Sequence, residues 1–328
     1  MISVVGAGAW GTALAIIAQR RDNDVLLWAF EEDVAHSIKT KHSNPMFLPG
    51  QTLSKKIRST SNIMDIAQSD IILLATPAQY LRRTIEPLSG QINSSTPLII
   101  CSKGIEQKTC ALMTEIVSKI FKENPLLVLS GPTFAIEVAS GLPTAVTLAG
   151  EDRNISKTVT NRIGSKWFRP YASNDLIGAQ IGGAIKNVLA IACGISQGLN
   201  LGYNARAAII TRGLAELKRL SIAKGGQAET VSGLSGLGDL LLTCTSTQSR
   251  NYSLGVALGQ GKKLIQIQAT RHSIAEGVFT SSAAVALAKQ LEIEMPIVSA
   301  VYSILYEKAD INEQIGSLLD RPFRSEFF

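Results

Sequence analysis

MISVVGAGAWGTALAIIAQRRDNDVLLWAF, residues 1–30, decides how the first half of this chain folds. Ile2 to Val5 is a short apolar, β-branched run of the kind that makes a buried parallel strand. GAGAWG follows at 6–11, and Thr12 to Gln19 reads as a helix ending at Arg20 and Arg21. Asp22 to Asp24 makes the turn, and VLLWAF at 25–30 is the next strand. Strand, glycine turn, helix and strand within about thirty residues is the context that a dinucleotide fingerprint requires. Gly6 permits the tight turn, Gly8 lets a pyrophosphate approach the backbone, and Gly11 allows close helix–strand packing. The helix N-terminus then offers unpaired N–H groups and a positive dipole end to the phosphates. The same stretch superficially resembles a leader peptide, but it lacks a basic start and its glycines follow the nucleotide logic.

The alternation continues downstream. Asn44 to Gly50, with Pro45 and Pro49, reads as a loop. DIILLAT at 70–76 is a buried strand, and Pro77 opens the connection to a helix in AQYLRRTIEPL. PLIICSKG at 97–104 is another strand, and LLVLSGPTFA at 126–135 another, before a helix that Pro132 can start. TAVTLAG at 144–150 and WFRPYAS at 167–173 complete the set. Repeated strand–helix units imply a mostly parallel, doubly wound sheet of the Rossmann type. Ligands bind such sheets beyond the carboxyl ends of the strands, where Thr76–Pro77, Lys103–Gly104 and Gly131–Thr133 stand. Lys103 is either a solvated surface lysine or a site lysine, and Gly131 to Thr133 either caps a helix or presents N–H groups to a substrate oxygen.

After about residue 176 the pattern becomes nearly continuous helix. QIGGAIKNVLAIACGISQG, residues 180–198, is apolar or small on every face, which belongs in the core of a sizeable protein. Lys186 and Asn187 interrupt it; an ammonium there either snorkels along its stem or is paired and used. A second helix fits ARAAIITRGLAELKRLSIAK, ended by Gly225 and Gly226. In VSGLSGLGDLLLTC, Asp239 either caps a helix or shares a working face with Thr243, four residues on. Arg250 and Asn251 follow the polar run Thr245 to Ser249; the guanidinium suits a phosphate or carboxylate, or else a salt bridge to an interior acid. Residues 275–308 read as two helices broken before Pro296. The expected architecture is therefore α/β, with a Rossmann-like N-terminal domain over 1–176 and an all-α substrate and catalytic domain over 177–328.

Composition narrows the class. At 328 residues, 45% apolar and 18% charged, the chain is ordinary globular material of two-domain size. A net charge of +6 without a dense Lys/Arg run weighs against nucleic acid and suits an anionic small substrate. Cys101, Cys110, Cys193 and Cys244 form no C-x-x-C pair, which points to reduced, buried thiols in the cytoplasm. His36, His42 and His272 have no partners at metal-ligand spacing, so no metal is expected. No uninterrupted apolar run reaches membrane-spanning length, and no stable membrane insertion is expected.

GAGAWG, SKG, SGPTFA, GGAIKN, GLGDL and SRN, in this order, resemble NAD(P)-dependent glycerol-3-phosphate dehydrogenase of the bacterial soluble type. The resemblance runs from Gly6 through Glu276. It implies NAD or NADP as cofactor and reversible reduction of dihydroxyacetone phosphate to sn-glycerol 3-phosphate, which feeds phospholipid synthesis. It makes Lys186 the proton-transfer residue, Asp239 the acid of its polar network and Lys103 a lysine near both substrate and cofactor. It places Gly131, Thr133, Asn187, Thr243, Ser249, Arg250 and Asn251 on the substrate side. On the cofactor side it places Gly6, Gly8, Ala9, Trp10, Gly11, Ala135, Ile274 and Glu276, with Arg250 reaching the cofactor as well. Phe30 departs from the pattern, because many relatives carry a basic residue there that suits the NADP 2′-phosphate. A homodimer is expected, with the helical half supplying its surface. Two other functions fit parts of the sequence: a two-domain dehydrogenase of a hydroxy acid or sugar acid, and a non-catalytic NAD(P)H sensor. The order GLGDL then SRN counts against the first, and Lys186, Asp239 and Arg250 lack a joint purpose in the second.

Overall fold

In the computed structural model, which describes residues 1–269, 275–323 and 325, Ile2–Val5 is strand β1 and the glycine turn leads into helix α1 (Ala9–Gln19). Helix α1 starts three residues before Thr12 because the extended N-cap is Gly8, so Ala9, Trp10 and Gly11 form its first turn. Then come β2 (Val25–Trp28), α2 (Glu32–Lys41), β3 (Ser43–Asn44), β4 (Leu48–Thr52), β5 (Ile57–Thr60) and β6 (Ile71–Leu74). They are followed by α3 (Leu81–Ile85), β7 (Leu98–Ile100), α4 (Met113–Ile120), β8 (Leu126–Ser130), α5 (Ala135–Ser140), β9 (Thr144–Gly150), α6 (Arg153–Ile163) and β10 (Phe168–Ser173).

Eight of these strands form one sheet in the order β10-β9-β8-β7-β6-β1-β2-β5. Every pairing is parallel except β8 with β9. Alternate residues of β1 serve opposite faces: Ile2 and Val4 pack with Leu14 and Ile17 of α1, Val5 with Leu81, Ile85 and Ile116. Because β1 pairs with β2 on one side and β6 on the other, the glycine turn lies at the switch point of the sheet. Two expectations need correction, and one strand is added. The segment Asn44 to Gly50 carries a two-stranded antiparallel ribbon, β3 with β4, which is too short for alternation to betray it. Pro132 does not start a helix; α5 begins at Ala135 because the extended N-cap is Phe134. Strand β5, partly exposed, carries no apolar run and had no signal in the sequence.

The second half holds α7 (Leu176–Gly198), α8 (Gly202–Ala223), α9 (Ala228–Ser232), α10 (Asp239–Thr245), α11 (Arg250–Gly259), α12 (Leu264–Ala269), α13 (Glu276–Gln290), α14 (Pro296–Tyr302) and α15 (Ile311–Leu319). Helix α7 starts where the Asp175 carboxylate accepts from the Gly178 N–H at 2.8 Å; the same group accepts from the Gln227 N–H at 2.9 Å, tying in the start of α9. Helix α7 is the axis around which α8, α10, α11 and α13 pack. Ile181, Ile185, Val188, Leu189 and Ile191 are wholly buried, each contributing roughly 1.5–3 kcal/mol. By length and composition α7, interrupted by Lys186, could cross a membrane, but 83% of its most apolar stretch is buried inside the protein.

Glycines set how closely α11 approaches α7. A Cβ on Gly194 would lie 2.1 Å from the Tyr252 carbonyl oxygen, and one on Gly255 2.1 Å from that of Ile191. Gly198 and Gly259 repeat the contact one turn on. Backbone on both sides leaves nothing flexible to give way. We expect Gly194→Ala to cost about 3 kcal/mol, read as a fall in the urea or thermal midpoint. A midpoint within a degree of the parent would show that the two helices can separate freely.

Candidate active site

The site lies where α7 passes the carboxyl ends of β7 and β8. Gly182 and Gly183, one turn before Lys186, clear the space: a Cβ on Gly182 would sit 2.2 Å from the Ser235 carbonyl oxygen, and one on Gly183 2.9 Å from Ser130 Oγ. The turn at 234–238 therefore lies directly on α7 and delivers Asp239, the first residue of α10, to Lys186.

Asp239 is fully buried, and Lys186 is only 7% exposed. Lys186 Nζ donates to Asp239 Oδ1 at 2.5 Å and to Thr243 Oγ1 at 3.0 Å. The Thr243 hydroxyl donates in turn to the Asp239 carbonyl at 2.6 Å. Lys103, half-buried at the end of β7, donates from Nζ to Asp239 Oδ2 at 2.6 Å and to the Gly131 carbonyl at 3.0 Å. Two ammonium groups thus share one carboxylate. The snorkelling alternative for Lys186, the capping alternative for Asp239 and the solvated alternative for Lys103 are all overturned. Burial pushes the Lys186 ammonium down to about 8; the Lys103 charge lowers it too, while Asp239 partly offsets both.

Asn187 sits beside this cluster in a second polar chain. Its side-chain oxygen accepts from Asn251 Nδ2 at 2.9 Å, and Asn251 Oδ1 accepts from the Gly277 N–H at 2.9 Å, joining α7, α11 and α13. Ser249 caps α11 by accepting from the Tyr252 N–H at 3.2 Å. Arg250, the first residue of α11, is solvent-exposed, and its charge acts on Glu276 at the start of α13. Burial drives Glu276 up to about 7 against the pull of Arg250 and of the Ala78 N–H. Its Oε2 is buried with no partner among the described residues. Thr133 donates its hydroxyl to the Gly131 carbonyl at 3.2 Å. Ile274 lies outside the described residues.

The glycine turn fits a dinucleotide. Gly6, at φ +113°, lies against the Ala75–Thr76 backbone, and a Cβ on Gly11 would come 1.8 Å from the Gly6 carbonyl oxygen. A Cβ on Gly8 would meet nothing within 4 Å. No side chain caps α1 and no acid stands in its first turn, so its N-terminus is open to an anion. Trp10 Nε1, a buried donor, has no partner among the described residues, and Ala135 opens α5 beside this turn. Phe30, 72% exposed, stands just past β2, and Glu32 starts α2.

The sequence carries no signal for the side chains that hold Lys103 in place. Gln79 clasps the following loop, donating to the Ile105 carbonyl at 2.8 Å and accepting from the Gln107 N–H at 3.0 Å. Gln107 reaches across to Ser282 of α13 at 2.8 Å. Glu106 closes the loop with two 2.8 Å bonds from Arg82, whose guanidinium holds its carboxyl below the usual range. These are single polar residues in polar stretches, and no spacing rule marks them.

An open glycine turn at the sheet's switch point, together with a buried lysine–carboxylate cluster beyond the ends of β7 and β8, defines a nicotinamide-dependent dehydrogenase. Comparison with known proteins is specific. Residues 1–156 match the family model of the NAD-dependent glycerol-3-phosphate dehydrogenase N-terminus and residues 175–316 that of its C-terminus. A glycerol-3-phosphate dehydrogenase (NAD(P)+) of Parvibaculum lavamentivorans is 52% identical over 325 residues, 99% of this chain and 98% of the relative. That of Rhodospirillum rubrum is 52% identical over 326 residues, 99% of this chain and 93% of the relative. The crystal structure of glycerol-3-phosphate dehydrogenase from Coxiella burnetii superposes with a TM-score of 0.94 at 39% identity, covering 98% of each chain. The chain belongs to the NAD-dependent glycerol-3-phosphate dehydrogenase family.

Proposed function

We propose that the chain reduces dihydroxyacetone phosphate reversibly to sn-glycerol 3-phosphate, with Lys186 exchanging the proton at the carbonyl oxygen. The observation that carries this is a buried Lys186 ammonium at about 8, held on Asp239 beside the strand ends where ligands bind. Residues 1–176 hold the dinucleotide through Gly6, Gly8, Ala9, Trp10 and Gly11, joined by Ala135, Arg250 and Glu276, and residues 177–328 supply most of the catalytic and substrate groups. When bound, the reduced nicotinamide supplies hydride to the ketone carbon.

As that carbon is reduced, negative charge builds on its oxygen. Lys186 donates a proton to that oxygen in reduction and, as the neutral amine, takes it back in oxidation. Asp239 and Thr243 fix the direction of Lys186 Nζ, so no reorganisation is needed at the moment of transfer. Lys103 adds positive charge on the substrate side, where Gly131, Thr133 and Asn187 also stand. Ser249, Arg250 and Asn251 take the phosphate, remote from the reacting carbon, so that binding energy is spent on orientation.

The test is absorbance loss with dihydroxyacetone phosphate and NADH or NADPH in turn. Oxidation with neither cofactor would sink the proposal. Arg250→Ala is expected to raise KM for dihydroxyacetone phosphate about ten- to a hundredfold, the worth of a charge-assisted hydrogen bond, with a smaller change in kcat. An unchanged KM would remove Arg250 from the phosphate site. Four buried free cysteines support a reducing, cytoplasmic setting. Exposed apolar residues along α8, Tyr203 at 78% and Ile222 at 59%, support a homodimer.

A further inference from the structure

Strand β3 contributes only two residues, yet one of them, Asn44, is 1% exposed and reaches the glycine turn. Its Nδ2 donates to the Ala7 carbonyl at 2.7 Å and to Thr12 Oγ1 at 2.8 Å. Its Oδ1 accepts from the Phe47 N–H at 3.2 Å, which holds the ribbon itself. Thr12, wholly buried on α1, donates its hydroxyl to the same Ala7 carbonyl at 3.2 Å. One carbonyl in the middle of GAGAWG is therefore held from two directions, by a helix and by the ribbon.

This has a consequence on the other side of the peptide. In a trans peptide the C=O and the following N–H point in opposite directions, and no described peptide bond is cis. Turning the Ala7 oxygen inward onto Asn44 and Thr12 turns the Gly8 N–H outward. Outward is the open side, where Gly8 has no side chain and α1 presents its uncapped first turn. A buried peptide plane held by two donors cannot rotate without leaving polar groups unsatisfied, so the N–H is set before any ligand arrives.

We propose that Asn44 is a positioning residue for cofactor binding: with Thr12 it sets the Ala7–Gly8 peptide so that the Gly8 N–H is presented to the dinucleotide pyrophosphate. The proposal rests on the glycine turn being the NAD(P)H site. Two roles are separable on Asn44, since Oδ1 serves the ribbon and Nδ2 serves the turn.

The experiment titrates NADH into the full chain without substrate, following nicotinamide fluorescence, for the parent, Asn44→Ala and Thr12→Val. Each variant is expected to raise the NADH Kd about tenfold, the upper worth of one neutral hydrogen bond. At saturating NADH, kcat and KM for dihydroxyacetone phosphate should stay within about twofold, because nothing near Lys186 is touched. Thr12→Val keeps the side-chain volume and does not depend on Asn44→Ala folding. A Kd within twofold of the parent in Thr12→Val overturns the proposal, even if Asn44→Ala binds weakly, since Asn44 would then only anchor the ribbon. A parent chain that binds neither NADH nor, titrated in the same way, NADPH overturns the cofactor reading as well, a result distinct from variants that bind normally.

Discussion

Lys186→Met lowers kcat for dihydroxyacetone phosphate reduction by about two to four orders of magnitude, the usual worth of a positioned general acid. Methionine keeps the length of the stem in a site only 7% exposed, and its loss of charge leaves Lys103 and Asp239 as a matched pair. NADH binding and the unfolding midpoint should therefore survive. The same residue fixes the pH profile. Reduction needs the ammonium, so its rate falls as pH rises through about 8; oxidation needs the amine, so its rate climbs over the same interval. Turnover of Lys186→Met near the parent value, or parallel limbs in the two directions, would take proton transfer away from Lys186.

Asp239→Asn should produce the largest loss of stability. Both lysine ammonium groups, held at 2.5 and 2.6 Å from the carboxylate oxygens, would face a neutral amide. Removing the shared counter-charge of a buried cluster costs about 3–5 kcal/mol. Asp239 is also what raises Lys186 against burial and against Lys103, so its loss drives Lys186 below 8. The falling limb of the reduction profile then moves to lower pH, which a general packing defect would not do. An Asp239→Asn chain with the parent midpoint and a limb still at about 8 would show that the carboxylate is not the counter-ion. Where the variant is too unstable to assay, the profile can be read on Lys103→Met, which removes a neighbouring positive charge and should move the limb upward.

Much of this was legible in local sequence, and the reason is range. The β1–turn–α1–β2 unit is encoded within thirty residues, since glycine placement and strand burial are properties of neighbouring positions. The apolar periodicity of 180–198 likewise marked a core helix before its surroundings were known. The short ribbon β3–β4 and strand β5 escaped because strands of two to five residues with few apolar side chains have no pattern to offer. Pro132 misled because a proline that is able to start a helix is not obliged to do so; the extended Phe134 decided where α5 begins.

Sequence by itself determined the nucleotide turn, the order of the two halves and the identity of the lysines, acid and arginine worth watching. It left Lys186 between a snorkelling and a catalytic lysine, Asp239 between a cap and a counter-ion, and Lys103 between solvent and site. Only the tertiary structure set aside the snorkelling, capping and solvated readings, because the contacts that do so span 53 and 136 residues of chain. They exist because glycines at 182 and 194 let backbone, and Gly183 lets the Lys103 and Ser130 side chains, close on α7 until a charge there has little water left to reach. A lysine so enclosed must find a carboxylate, and its pKa is then set by burial and neighbouring charge, neither of which is a property of the residues beside it in the chain.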